Sequence, residues 1–336
     1  MMRALHWSLG VMLMLTATVR SQEAKPPAAR AAVVNGEVIP EAAVQRALRG
    51  IPQEQQAAAR SQVLNLLVGN ILVEQHLLQL KVDASAKEVE SRMGAIREEA
   101  KKRGLEYEQF LAQYALTEAE IRTQITGDLR WENYVKSKAP DEVLARFLTE
   151  NKDWFDGSQV CGRHILLEVS ADADAAAKQV AITKLQQLRQ TIEGQVTQEL
   201  AKLDPKADTL MREQARIKAI NQAFSEAASK HSTCPSKKHG GDLGFFPRVG
   251  AMVEPFAKAA FALQAGQMAG PVETQFGYHL ILVTARLPGK EVKFDDIKDE
   301  VRETYSDRLR EELVAELWRK ARIEVLVPPP MKSDKP

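Results

Sequence analysis

The 336-residue sequence is poor in cysteine and has no excess of either charge. Two cysteines, Cys161 and Cys234, are too few to build a disulfide scaffold. Lys and Arg total 46 against 45 Asp and Glu, so composition gives no strong electrostatic drive toward nucleic acid or anionic lipid. The sequence also lacks a phosphate-binding glycine loop, a G-x-S-x-G elbow and an H-E-x-x-H motif. These absences argue against the common nucleotide-binding and hydrolase classes.

What the sequence does contain is an ordinary globular composition, with 44% hydrophobic and 27% charged residues. At about 150 residues per domain, the length predicts two domains, each able to bury a core.

The first 21 residues have the pattern of a secretory signal peptide. Arg3 precedes an apolar run from Leu9 to Leu15, and small or polar residues follow as far as Ser21. The run is short for a membrane span of about 30 Å, although a retained N-terminal anchor is the alternative. We therefore expect signal cleavage and export, with the periplasm favoured over full secretion. Residues 22–30 form a Pro/Ala linker.

Residues 31–155 predict a short hairpin followed by four or five amphipathic helices. Asn35-Gly36 lies between two β-branched runs, which is typical of a tight hairpin turn. Ser85 with Glu88, and Thr117 with Glu120, have the spacing of capping boxes that begin helices. Leucines, isoleucine and valine between positions 64 and 72 recur at helical spacing.

The pattern changes near residue 157. Residues 160–169 and 277–285 predict strands, and residues 173–228 predict helix interrupted at Asp204-Pro205. In the segment 291–327 we expect a long helix and a strand that pack on the N-terminal segment. Residues 328–336, rich in proline and lysine, predict a disordered tail.

Four ordered motifs between residues 158 and 286 resemble the parvulin family of peptidyl-prolyl isomerases. They are Arg163-His164-Ile165-Leu166, Cys234-Pro-Ser-x-x-x-Gly-Gly-Asp-Leu-Gly, Gly250-x-Met252 with Phe256, and Phe276-Gly-Tyr-His279. The resemblance implies an α+β fold in which a parvulin-type domain spans 158–287. This domain is FKBP-like, with a four-stranded antiparallel sheet and surrounding helices. An α-helical chaperone-like module would be built from the N- and C-terminal segments.

The resemblance also assigns site residues. Leu243, Met252 and Phe256 match the family's proline-binding cup, and Phe246 lies close by in sequence. His164 and His279 match its paired histidines. Thr274 matches the hydroxyl residue that hydrogen-bonds them, and Cys234 matches a position that is Cys or Asp in the family.

Such a site needs no cofactor. Rotation about an Xaa-Pro bond has a barrier of about 18–20 kcal/mol because amide resonance is lost at the twist. An apolar cup for the proline ring and polar groups tuned to the redistributed amide charge are sufficient to lower it. We therefore expect noncovalent stabilisation of the twisted amide, with nucleophilic attack by Cys234 as the alternative.

Other interpretations of these residues remain open at the level of sequence. Each histidine could be an ordinary core residue, and Cys161, His164, Cys234 and His239 are all possible zinc ligands. A disulfide between Cys161 and Cys234 is compatible with export. Cys161 is however an odd number of residues from His164, so in a strand the two side chains point to opposite faces.

The sequence departs from the family pattern in two places. The stretch after the first strand, residues 168–174, is acidic, whereas phosphate-directed parvulins carry basic residues there. We therefore do not expect phosphopeptide specificity. Residues 195–222 look like an insertion that extends the family's first helix into a helical arm. It is either a solvated excursion or a partner surface.

The flanking segments resemble exported foldases of the SurA and PrsA kind, here with one parvulin domain. The resemblance implies an exported isomerase and chaperone whose partners are unfolded polypeptides containing Xaa-Pro bonds. It implies no nucleic acid, no metal or cofactor, and no stable membrane anchor after signal cleavage. The alternative is a holdase that binds proline-containing peptides without useful catalysis.

Overall fold

The computed structural model describes residues 29–326 except residues 115 and 171. The expected signal peptide, most of the expected linker and the expected tail lie outside the described residues. The chain divides into two compact units, of which the first combines the residues up to Leu144 with those from Arg302 onward. The second unit is Ala145–Val301.

The first unit combines a small sheet with helices from both ends of the chain. Strands β1 and β7 pair with each other, and β2 pairs with the other edge of β1. The strands are β1 (Arg30–Val34), β2 (Glu37–Pro40) and β7 (Ile323–Val325). The helices are α1 (Glu41–Leu48), α2 (Gln53–Gln79), α3 (Ala86–Lys102), α4 (Tyr107–Gln113), α5 (Glu118–Lys138), the first part of α6 (Asp141–Glu150) and most of α10 (Phe294–Lys320).

Local sequence signals account for several of these boundaries. Asn35 and Gly36 both have positive φ, 51° and 91°, which is the geometry of the predicted hairpin turn. Thr117 and Glu120 form a complete capping box at the start of α5. Ser85 precedes α3 as predicted, but its side chain makes no capping hydrogen bond.

Close contacts hold the C-terminal helix α10 against α2 and α5. A Cβ added to Gly69 would lie 3.3 Å from the Val314 side chain, so glycine allows α2 and α10 to approach closely. Trp131 donates its indole N–H to the Ser306 hydroxyl at 2.9 Å. The N- and C-terminal segments thus share one helical unit, as the α+β interpretation predicted.

The second unit contains the four-stranded antiparallel sheet, in the order β4-β3-β6-β5. The strands are β3 (Gln159–Glu168), β4 (Asp242–Pro247), β5 (Met268–Thr274) and β6 (Gly277–Leu287). The helices are α7 (Ala175–Leu200), α8 (Thr209–His231) and α9 (Glu254–Phe261), with 3₁₀ turns at Lys152–Trp154 and Pro235–His239. The mixed architecture confirms the predicted fold class.

Strand alternation divides the core of this unit between the two faces of the sheet. One face of the sheet packs against α7 and α8. Its cluster includes Ile165, Leu280 and Leu282 from the strands and Phe224 from α8. On the opposite face, β6 contributes Ile281 and Val283 to a second cluster that includes α9. Because β6 is buried on both faces, its apolar run is continuous rather than alternating.

The segment 195–222, predicted to be a helical insertion, contacts this core near its two ends. Val196 near the end of α7, and Ala219 and Ile220 on α8, are buried in the cluster that covers the sheet. The turn between the two helices contains Asp204-Pro205, the predicted interruption. The residues between these ends, 197–218, are exposed or partly exposed, so the interpretation of 195–222 as a helical arm stays a prediction.

The units divide at different positions from the predicted domains. The division falls inside α6 and α10, at 144/145 and 301/302, whereas the sequence interpretation placed it near 155–158 and 287–291. Both helices continue through the division, so no change of composition marks it. In the described part of the chain, no helix is both long and apolar enough to cross a membrane.

Candidate active site

Two histidines meet on one face of the sheet in the second unit. His164 lies on β3 and His279 on β6, and the antiparallel register pairs His164 with Ile281 and Leu166 with His279. The two Nδ1 atoms are 3.2 Å apart, and the rings stack with centroids 5.4 Å apart and planes inclined by 20°. Both residues are buried, with 6% and 3% of their surfaces exposed.

A hydroxyl group lies at each end of the histidine pair. The Thr274 Oγ1 atom is 2.8 Å from His279 Nε2, and the Ser236 Oγ atom is 3.1 Å from His164 Nε2. All four ring nitrogens are therefore within hydrogen-bonding distance of a partner. The result is one continuous chain from Ser236 through both imidazoles to Thr274.

This chain has two consistent hydrogen-bond directions when both rings are neutral. In one, Ser236 donates to His164, His164 donates to His279, and His279 donates to Thr274. In the other, every donor and acceptor along the chain is exchanged. The backbone N–H of Phe276 also donates to Thr274 Oγ1, at 3.2 Å, and the threonine hydroxyl accommodates this bond in either direction.

Burial keeps both imidazoles neutral at physiological pH. Desolvation lowers the pKa of His164 to about 4. Desolvation, with a smaller contribution from the neighbouring His164, lowers the pKa of His279 to about 4. Neither ring carries the charge that a general acid would need at pH 7, so the pair is suited to polar contact rather than proton donation.

The loop that carries Ser236 is fixed against strand β3. Beyond the pairing with β4, the Leu166 N–H donates to Ser232 Oγ at 3.1 Å, and Thr233 N–H donates to the Leu166 carbonyl at 2.8 Å. The His164 N–H donates to the carbonyl of Gly241 at 2.9 Å. These backbone contacts bring the Cys234-Pro-Ser segment beside His164.

An apolar cluster adjoins the histidine pair. The Phe256 ring is nearly perpendicular to both imidazoles, at centroid distances of 5.7 Å from His164 and 5.3 Å from His279. Phe246 lies 6.0 Å from Phe256, and the partly buried Leu243 and Met252 pack against the same cluster. The structure thus brings together all four residues assigned by sequence to a proline cup, next to both histidines.

Cys234 is less closely connected. It precedes the 3₁₀ turn that carries Ser236, and its backbone N–H donates to Ser232 Oγ at 3.3 Å. Among the described residues, no hydrogen bond joins its thiol to either histidine. Cys161 and Cys234 are both free thiols.

The same geometry leaves little for zinc to bind. Both ring nitrogens of His164 already have hydrogen-bond partners, and the described residues contain no cluster of three or more potential metal ligands. A zinc site built on this histidine would require the hydrogen-bonded chain to be broken.

Ser236 is the site residue that sequence reasoning did not select. It lies inside the quoted Cys234-Pro-Ser motif, so the signal was present, but a serine between proline and two lysines gave no reason to expect contact with His164. Thr274, His164 and His279 were each assigned to the site through the resemblance to the parvulin family.

Comparison with known proteins agrees with this geometry. Residues 196–285 match the Rotamase family model, described as a PPIC-type PPIASE domain. This match includes β4, β5, α9 and most of β6 but begins after β3, so His164 lies outside it. It begins at residue 196, one residue into the segment 195–222.

Relatives among curated proteins include foldases and peptidyl-prolyl cis-trans isomerases. The chain is 40% identical over 110 residues to the foldase protein PrsA of Bacillus subtilis, covering 31% of this chain and 36% of that protein. It is 28% identical over 290 residues to the PrsA of Caldanaerobacter subterraneus, covering 80% of this chain and 76% of that protein. Among solved structures, the Bacillus anthracis PrsA isomerase has a TM-score of 0.41 at 19% identity, covering 76% of this chain and 96% of that chain.

The strongest sequence matches are confined to part of each relative. For the first three curated relatives, the matched segments span between 31% and 47% of the relative's length. The chain therefore matches less than half the length of each of these relatives.

Proposed function

We propose that this parvulin-family chain, which resembles the PrsA foldases, is an exported peptidyl-prolyl cis-trans isomerase and folding chaperone. Its substrates are Xaa-Pro bonds in unfolded envelope or secreted proteins. The observation that carries the proposal is the contact of Phe256 with both neutral histidines. It places an apolar cup directly beside a chain of polar groups.

The geometry supports catalysis by binding the twisted amide. The proline ring enters the cup formed by Leu243, Phe246, Met252 and Phe256. Twisting removes amide resonance, so electron density shifts from the carbonyl oxygen toward the nitrogen. The polar N–H and O–H groups of the hydrogen-bonded chain lie beside the cup, where their dipoles can stabilise the redistributed charge of the twisted amide without any proton transfer. Each tenfold acceleration requires about 1.4 kcal/mol of preferential binding to the twisted state.

The position of Cys234 supports the noncovalent route. A nucleophilic thiol needs an adjacent base to accept its proton. Neither imidazole hydrogen-bonds to this thiol in the described structure, and each ring is already engaged with the other and with a hydroxyl group. In this proposal the thiol lines the site beside Ser236.

The helical first unit supplies the chaperone function in this proposal. Leu66, Leu78 and Leu80 on and just after α2 are each about half exposed, at 45%, 50% and 50%. Exposed large apolar side chains can bind extended apolar segments of unfolded chains weakly.

The test is NMR exchange spectroscopy on an unphosphorylated Ala-Pro peptide with the full chain. We expect faster cis–trans exchange than in the free peptide, which isomerises on a scale of about 10–100 s at 25 °C. Met252→Ala should lower the acceleration about tenfold because it opens the cup. Met211→Ala, the same change at an exposed position on α8, is the matched control. A folded chain that accelerates no Xaa-Pro peptide would refute catalysis and favour a holdase.

A further inference from the structure

An exposed aromatic side chain lies at the edge of the site. Phe276 occupies the turn between β5 and β6, two residues after Thr274 and three before His279. Half of its surface, 51%, is exposed. Exposing this much of a phenyl ring forgoes burial free energy, on the scale of about 25 cal/mol for each Å².

The backbone of Phe276 is held at both of its polar groups. Its N–H donates to Thr274 Oγ1 at 3.2 Å, and its carbonyl accepts a hydrogen bond from the Val169 N–H at 3.4 Å. Thr274 in turn bonds His279 at 2.8 Å. Phe276 is therefore two hydrogen bonds from the histidine pair.

The following residue fixes the turn further. Gly277 has φ of +127°, and a Cβ at this position would lie 2.3 Å from the Leu167 carbonyl oxygen and 2.7 Å from the Val169 nitrogen. Only glycine fits there without moving strand β3. The exposed ring is thus presented from a constrained backbone rather than from a loose loop.

We propose that Phe276 is a specificity-determining residue that binds a large apolar or aromatic side chain flanking the substrate proline. The inference rests on the proposed isomerase function and adds its substrate class. A polypeptide whose proline occupies the cup and whose amide lies over the histidines has its neighbouring residues at the two ends of the hydrogen-bonded chain. Phe276 lies at the Thr274 end, where its half-exposed ring offers an apolar surface.

Constraint of the backbone makes this contact effective. A preorganised aromatic ring loses little conformational entropy when a second apolar side chain packs on it. The contact selects between substrates without taking part in the twist itself.

Phe245 provides a matched control on the same domain. It is exposed to a similar degree, 47%, and lies on β4 next to the buried Phe246. Because successive strand residues point to opposite faces, its ring faces away from the cup that Phe246 lines. Removing this ring tests for a general effect of losing an exposed aromatic.

The experiment compares exchange efficiencies for short peptides with the full chain and its variants. One peptide series places Leu, Phe, Ala or Gly before the proline, and a second places them after it. For one of the two series, the wild type should prefer Leu and Phe over Gly. Phe276→Ala should reduce this Leu-to-Gly ratio of kcat/KM about fivefold, mainly through KM, a change on the scale of partial burial of one ring. Phe245→Ala should leave the ratio unchanged.

Two further substitutions separate contact from folding. Phe276→Leu retains an apolar side chain and should keep most of the ratio, whereas Phe276→Gln should lose it. If the wild type is active but Phe276→Ala has the same Leu-to-Gly ratio, this inference alone is overturned. The same holds if Phe245→Ala lowers the ratio as much as Phe276→Ala does. A folded wild type that accelerates none of the peptides overturns the proposed isomerase function together with it.

Discussion

At the scale of single residues, the site depends on hydroxyl groups that end the histidine chain. Ser236→Ala removes the partner of His164 Nε2 and leaves a buried ring nitrogen without a hydrogen bond. We expect kcat to fall about fivefold, because one such hydrogen bond contributes about 1 kcal/mol. Ser229→Ala on α8, where the hydroxyl bonds its own helix, is the control. Equal rates for the two variants in NMR exchange would show that Ser236 has no positioning role.

The buried histidines also predict the acid sensitivity of the second unit. Unfolded histidines bind protons below about pH 6.5, whereas the pKa of His164 and of His279 is about 4 in the folded state. Between these values the unfolded state binds more protons, so stability present above pH 6.5 is lost as pH falls toward 4. At about 1.4 kcal/mol per pKa unit, the loss is at most about 3 kcal/mol for each histidine.

Urea unfolding measured from pH 7.5 to pH 4.5 checks this expectation. The midpoint should fall with pH in the wild type and fall less steeply in His279→Gln. His231→Gln, at an exposed position at the end of α8, should retain the wild-type slope. A wild-type midpoint that stays constant across this range would contradict the neutral, desolvated pair.

At the scale of elements, two glycines in the second unit should respond oppositely to the same substitution. Gly241 has φ of +77°, and a Cβ there would lie 2.3 Å from the His164 carbonyl oxygen. Gly241→Ala should therefore destabilise the unit by about 2–4 kcal/mol and displace β3. Gly194 lies exposed within α7 with no atom near an added Cβ, so Gly194→Ala should stabilise by about 0.5–1 kcal/mol.

Thermal unfolding followed by circular dichroism distinguishes these outcomes. If Gly241→Ala unfolds within a degree of the wild type, the close approach to β3 is not a constraint. Gly194→Ala should raise the unfolding temperature. A lower unfolding temperature in this variant would contradict the prediction for the exposed helical glycine.

Elements with strong local signals were predictable, and contacts made over long sequence distances were not. Asn35-Gly36 encodes its turn, and Thr117 with Glu120 its helix cap, in residues at most three positions apart, and both features are present. The hydrogen bond between Ser236 and His164 joins residues 72 positions apart. It depends on the hydrogen bonds that Ser232 and Thr233 make with the backbone of Leu166 on β3. The two histidines could be assigned to the site because they lie in motifs that resemble those of the parvulin family. Periodicity alone would have predicted ordinary core residues at both positions.

The same distinction explains the domain division and the helical segment 195–222. Composition located turns near Gly157 and Pro288, but α6 and α10 each continue across the division between units. Most of 195–222 is exposed or partly exposed, as its many charged residues suggest, but Val196, Ala219 and Ile220 near its ends are buried in the core. A few apolar residues within a highly charged helix give only a weak sequence signal of burial.

At the scale of the whole molecule, the proposed function assigns isomerisation and holding to different units. Changes in each unit should therefore affect one activity without the other. Met252→Ala should slow refolding of a client limited by proline isomerisation, because it opens the cup. It should leave suppression of aggregation of an unfolded, proline-free client intact. Refolding is followed by client fluorescence and aggregation by light scattering, both with the full chain.

The reciprocal change lies in the helical unit. Replacing the half-exposed leucines by Leu66→Asp and Leu78→Asp should weaken aggregation suppression severalfold, because the added charges oppose binding of apolar segments. Isomerisation of an Ala-Pro peptide should remain at the wild-type rate. Met211→Asp, at an exposed apolar position on α8 of the second unit, controls for added charge alone. If Met252→Ala abolishes holding, or if the leucine variants abolish exchange while both units remain folded, the two activities share one binding surface and the assignment to separate units is wrong.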